Sequence, residues 1–221
     1  MPNFTTPAPI TAVLDLPAGR VHLAAGDRAD TTVEVRPADP ARSRDVKAAE
    51  QTTVGYADGV LHVRAPRAEN RYFGPTGAIE VVVGLPSGSD VRATADAAEL
   101  VGTGRLGDVA FEGAYRHIRL DEAAGVRLTA TDGDVEVGRL GGPARISTAR
   151  GDIRIAEAVR GDVVLDTRQG AITVGAAAGV SASLDAGTSH GRIDNALKNT
   201  GTPELAIRAT TAYGDIVARS K

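Results

Sequence analysis

The sequence predicts an all-β fold: a parallel β-solenoid, β-helix-like in character, behind an irregular and partly antiparallel β region. Three observations point there. A Gly-Asp phrase with alternating apolar residues recurs at Gly107 ("GDVAF"), Gly133 ("GDVEV"), Gly151 ("GDIRI"), Gly161 ("GDVVL") and Gly214 ("GDIVA"), with variants at Gly170 ("GAITV") and Gly191 ("GRIDN"). The alternation has period two, as in a strand that buries one face. The 26 glycines, an aromatic content of 3% and the absence of tryptophan require many tight turns and a core of Val, Ile, Leu and Ala.

Residues 1–94 form the irregular region. "ITAVLDL" places Ile10, Ala12, Leu14 and Leu16 on one face, and "RVHLAA" does the same with Val21 and Leu23. "TTVEVRP", "GVLHVRAP" and "AIEVVVGLP" follow as strands, each closed by a Gly or Pro turn signal. "DPARSRDVKAAEQT" reads as one short helix with Asp39 as N-cap and Pro40 at the first helical position.

Residues 95–221 form the repeat region, continuous with the first as one structural domain. Taken as successive corners, Gly133, Gly151, Gly170, Gly191 and Gly214 are separated by 18, 19, 21 and 23 residues. Second strands lie between them: "GPARIST", "GDVVLDT", "GVSASLD" and "PELAIRATT". One such two-strand unit cannot bury its apolar face alone, whereas stacked units bury it in a continuous column. Glycine suits each corner because the backbone there can take positive φ, and the following Asp can accept bonds from nearby amides. An antiparallel sandwich also needs many short strands, but sandwich strands seldom repeat one phrase at nearly fixed spacing.

The formal net charge of −3, with acids and bases interspersed, argues against nucleic acid and against an anionic membrane surface. With no cysteine there is no disulfide, thiolate metal site or thiol chemistry. "MPNFTTPAPI" lacks the features of a secretory leader and no run reaches membrane-spanning length, so a cytoplasmic protein is expected.

This grammar resembles the DUF4097 family of bacterial β-strand-repeat proteins, related to adhesin-like head domains and known by repeated S/T-x-x-G-D-I/V-x-I/V strands. The resemblance extends over nearly the whole chain. It includes "PITAVLDLPAGRVHLAAGDRADTTVEVRP", "DGVLHVRAP", "VVVGLPSGSDV" and "IRATTAYGDIVARS". It implies a β-solenoid with a structural or adhesive role and brings no catalytic residues. "YRHIRL" departs from the pattern, with Arg116-His117 in place of Gly-Asp, and marks a candidate local specialisation.

Other candidate sites meet simpler readings. "GTGRLG" (residues 102–107) matches G-x-G-x-x-G, but a dinucleotide site needs a helix next, and "DVAFEG" alternates like a strand. Asp132 and Asp134 in "ATDGDVEV" suggest a calcium turn, yet neighbouring turns carry Arg150, Arg160 and Gln169 before their glycines, so plain turn chemistry is the better reading. "DAGTSHGRID" holds Asp185, Ser189, His190 and Asp194, a hydrolase's parts; adjacent Ser and His side chains diverge on an extended chain. His22, His62 and His117 are scattered singly on strand faces expected to be exposed. Asn195 falls on the inward side with Ile193 and Leu197, where it would satisfy a turn or the backbone. Tyr72-Phe73 is the best aromatic pair for an interaction patch.

The expectation is therefore a non-enzymatic scaffold with no catalytic, cofactor or metal residues and no identifiable small-molecule ligand. Its ends would bind a protein partner or a second copy, because terminal strands leave backbone groups unpaired. "GDIVARSK" is expected as the last strand at one end. A polysaccharide-binding or -processing β-helix is the alternative, though the repeat half offers few aromatics to stack on sugars; a calcium-stabilised module is a third reading.

Overall fold

The period-two alternation becomes strand after strand in the computed structural model, which describes residues 2–66 and 77–221. In chain order the strands are β1 (Asn3–Thr5), β2 (Thr11–Gly26), β3 (Asp30–Pro37), β4 (Thr53–Ala57), β5 (Val60–Arg64) and β6 (Ile79–Pro86). A long, repeatedly bent β7 (Asp90–Asp132) leads to β8 (Asp134–Leu140), β9 (Ala144–Arg150), β10 (Ile153–Ala158), β11 (Gly161–Gln169) and β12 (Ile172–Ala176). The chain ends with β13 (Ala182–His190), β14 (Ile193–Ala196), β15 (Leu205–Tyr213) and β16 (Ile216–Ser220). One helix, α1 (Ser43–Gln51), lies between β3 and β4. All the strands join one large, mostly parallel sheet that does not close on itself.

Beyond β7 the chain alternates between two parallel ladders. The first is β7 (117–123), β8, β10, β12, β16 and β14; the second is β7 (126–132), β9, β11, β15 and β13. A strand of the second ladder, a glycine corner and a strand of the first make one rung. In-register pairing stacks like on like: Ile118, Val135, Ile153, Ile172 and Ile216 form one column, each almost fully buried. Leu128, Ile146, Leu165 and Ala209 form another across the corner. On the outer face Arg139 bridges Glu122 and Glu157, and Lys221 reaches Glu157 at 3.0 Å. Such exposed pairs contribute little beside the apolar columns.

The N-terminal region is partly antiparallel, as expected. β1 pairs with β3, β3 with β6 and β4 with β5 in that sense. It also already contains parallel stacking, since residues 11–24 of β2 pair with 90–103 of β7, and β5 and β6 pair with β2. Ile10, Ala12, Leu14 and Leu16 share the buried face.

Two expectations need correction. The repeat phrases do not stack in chain order: β15 and β16 lie between β11/β12 and β13/β14, so "GDIVARSK" is an interior strand and "GRIDN" is terminal. Sequence spacing records the order in which rungs are written, whereas the ladder position depends on how far each connection reaches. Residues 197–204 carry the chain back by one rung, and Glu204 accepts from Gly161 while donating to Ser181. The helix forms, but its N-cap is Arg42 and not Asp39. Asp39 instead makes a local turn, its carboxylate accepting from the amide of Ala41 at 3.0 Å. The helix is held on β3 and β6 in part by buried Asp45, which accepts from the amide of Ala78 at 3.0 Å.

Ile153→Asp places an unpaired charge in the first apolar column, where Ile153 is 0% exposed. A loss of about 3–5 kcal/mol is expected. Arg154→Asp, on the solvent face, should stay within about 0.5 kcal/mol. Urea unfolding compares the two, and equal losses would mean that the faces are assigned wrongly.

Candidate interaction surface

The Gly-Asp corners are built for holding rungs together. A Cβ on Gly151 would lie 2.0 Å from the carbonyl oxygen of Gly133, and one on Gly170 the same distance from that of Gly151. Their φ angles of +136° and +154° also disfavour any side chain. The Asp that follows bonds to the next rung: Asp134 accepts from the amide of Asp152 at 2.8 Å, and Asp152 from that of Ala171 at 2.7 Å. The threonine three residues before the glycine completes the phrase. Thr167 and Thr211, both 2% exposed, donate to the carbonyls of Gly151 and Gly170 at 3.2 and 3.0 Å. These polar groups thus satisfy backbone groups of adjacent rungs, whereas Thr148 donates within its own rung, to the carbonyl of Arg150 at 3.2 Å.

The stack ends differently at its two extremities. At the N-terminal end the column finishes in short antiparallel strands, with the rings of Phe4 on β1 and Tyr56 on β4 packed against the core and centred 5.4 Å apart. At the other end, β13 and β14 pair only with β15 and β16 among the described residues. Ile193 continues the column of Ile216, but no rung covers it and it is 46% exposed. Tyr213, 55% exposed, stacks on His190 with ring centroids 4.7 Å apart. These two are the exposed large hydrophobic residues among those described, and both lie at this end.

The backbone of this edge is half used. Arg192 donates its amide to Asp215 at 2.8 Å and its carbonyl accepts from Ile216 at 2.8 Å. Because backbone direction alternates along a strand, Ile193 and Asn195 turn their N–H and C=O groups to the free edge. On the solvent face Asp194 pairs with Arg219 at 2.9 Å, and Arg192 reaches Asp215 at 3.4 Å.

The sequence candidates fall as follows. "GTGRLG" lies inside β7 and no helix follows it, so the dinucleotide geometry is absent. Asp132 is held by Arg150, and Asp134 by the amide of Asp152. Asp185 pairs with Arg208 and Asp194 with Arg219, while His190 stacks on Tyr213, so neither acid is directed to the histidine. Asn195 occupies the inward column, opposite Ala218, but is exposed because its rung is terminal; its Oδ1 accepts from the amide of Leu197 at 3.1 Å. His62 is exposed as expected, whereas His117 is half-buried and His22 is half-buried with an enclosed Nε2 that has no hydrogen-bond partner among the described residues. β7 runs unbroken through Arg116-His117, with His117 opposite Asp134. Tyr72, Phe73 and the side chain of Arg116 lie outside the described residues. Sequence reasoning missed Tyr213; its signal was its place just before Gly214, the position His190 holds before Gly191.

A second feature lies on the solvent face of the second ladder. An open groove of about 420 Å³ is lined by Asp90, Arg92, Asp108, Arg127, Arg145 and Asp162, among others. Arg127 and Arg145 stand directly opposite each other on β7 and β9. Like charges so placed disfavour the pairing.

No family model and no curated protein matches the chain. Among solved structures, a "putative adhesin" from Bacteroides fragilis aligns with a TM-score of 0.52 at 13% identity, covering 98% of this chain and 95% of that one. A "putative cell adhesion protein" from Clostridium sporogenes aligns with a TM-score of 0.41 at 12% identity, covering 100% and 98%. At these identities the likeness is one of fold, and it rests on the Bacteroides structure.

Asp215 is held below the usual carboxylate range, chiefly by the hydrogen bond from the Arg192 amide and then by the charge of that arginine. A depressed folded-state pKa stabilises the protein above the ordinary carboxylate value of about 3.9, and the benefit disappears as pH falls through the lower value. Asp215→Asn should therefore be less stable than the parent at pH 7, with the gap narrowing below about pH 4. Denaturant unfolding across that range tests this, and a pH-independent gap would contradict it.

Proposed function

We propose that this chain is a non-enzymatic scaffold of the adhesin-like β-strand-repeat type, a parallel β-solenoid that offers a rigid end to protein partners or to a second copy. The observation that carries this reading is the asymmetry of the stack. Both ends finish in edge strands, but one carries an aromatic contact packed against the core, and the other leaves the side chains of Ile193 and Tyr213 exposed beside its strand edge. Exposed edges and apolar residues of this kind mark association surfaces.

Three further points support it. The S/T-x-x-G-D phrase that gives the DUF4097 resemblance is consumed in rung-to-rung bonding, which is structural work. The acids and histidine of "DAGTSHGRID" are engaged by arginines and by a tyrosine ring. The aligned Bacteroides fragilis protein carries an adhesin description. With no cysteine, the fold is indifferent to the redox state of the compartment it occupies, so the proposal fits a cytoplasmic protein and one outside the cell equally.

The groove with the opposed Arg127 and Arg145 favours a second reading, polysaccharide binding along the ladder face, since arginines and aspartates can grip a sugar chain without aromatic stacking. A photo-cross-linker at Ser189, in cells producing the protein, separates the two. Polypeptide adducts through the terminal rung are expected. Their absence, together with glycan-array binding that Arg127→Ala and Arg145→Ala abolish, would replace the first reading by the second.

A further inference from the structure

We propose that the free edge of β14 pairs antiparallel with β14 of a second copy, about a two-fold axis through Ile193, giving a closed dimer. The inference rests on the scaffold reading above and specifies its partner and register. Ile193, like Asn195, turns its backbone N–H and C=O to the free edge, so in an antiparallel pair centred on it Ile193 exchanges both hydrogen bonds with its own counterpart. Its half-exposed side chain then meets the same side chain of the other copy, continuing the apolar column of Ile216 across the axis.

Charge selects this register. Residues flanking the axis oppose each other crosswise, so Arg192 of each copy faces Asp194 of the other. These are non-hydrogen-bonded positions, where cross-strand side chains approach most closely. Arg192, with a side chain 89% exposed, is weakly engaged by Asp215 at 3.4 Å and is free to turn to a second acid. Asp194 is held from the other side by Arg219 and would sit between two guanidinium groups. A two-fold contact requires a self-complementary patch, and Arg-Ile-Asp centred on isoleucine is the shortest that fits. Stacking onto the opposite end would extend without closing, and there Phe4 and Tyr56 with the short antiparallel strands stand over the column.

Light scattering on the intact chain over a wide concentration range should show a monomer–dimer equilibrium. Arg192→Glu and Asp194→Arg should each weaken it at least about tenfold, because each places like charges opposite twice per dimer. The double variant, with the charges exchanged, should restore it, and all three should keep the parent's circular-dichroism spectrum in dilute solution. Hydrogen exchange at the Ile193 amide should slow as concentration rises in the parent and the double variant only. A strict monomer, or a dimer that neither single variant weakens, overturns the proposal. If polypeptide adducts still form through Ser189 in that case, the scaffold reading stands and only the self-pairing falls. If adducts are absent as well, both fall.

Discussion

The structure depends on how closely successive corners can approach. Gly133, Gly151, Gly170, Gly214 and Gly191 stack in that order, and each of the first four donates its amide to the last residue before the following corner, as Gly151 does to Gln169 at 2.8 Å. The carbonyl oxygen of one corner glycine occupies the place where a Cβ of the next would stand. Only with that contact permitted do the strands on both sides fall into register, and register brings isoleucine onto isoleucine in the column below. The threonine hydroxyls and aspartate carboxylates complete the arrangement by satisfying corner backbone groups that the parallel ladder alone would leave short.

The same chemistry explains why the molecule has two unlike ends. A repeated rung has no means of stopping itself, because every rung presents the edge that the next would use. At the N-terminal end the chain abandons the repeat for antiparallel strands and spends two of its few aromatic residues over the column. At the far end it folds back, placing its last two strands inside the stack and leaving the preceding pair at the edge. Among the described residues the apolar column therefore stops at Ile193 without a cover, and the candidate surface is the visible consequence of a repeat that was not terminated.

Much of this was legible in the sequence. The buried faces of Ile153 and Ile155, Val163 and Leu165, and Ile172 and Val174 follow from alternation alone, and the glycine corners follow from the phrase that marks them. The helix was legible in existence but not in its start, because Asp39 had a local turn open to it as an alternative to capping. The candidate surface was only partly legible. Ile193 was placed correctly on the inward column, but its exposure follows from the absence of a neighbour, which no local pattern encodes. Tyr213 and His190 stand 23 residues apart in the chain and stack because their rungs are adjacent.

The sequence by itself determined the all-β class, the inward face of each strand and the corners, because these are set by side-chain period and by steric demands within a few residues. The tertiary structure alone decided the order of the last rungs. It also decided which edge stays open and whether each Asp serves its own turn or the next rung. Those outcomes depend on how far a connection such as residues 197–204 carries the chain before its strand finds a partner, a long-range competition among edges that look alike from within the chain.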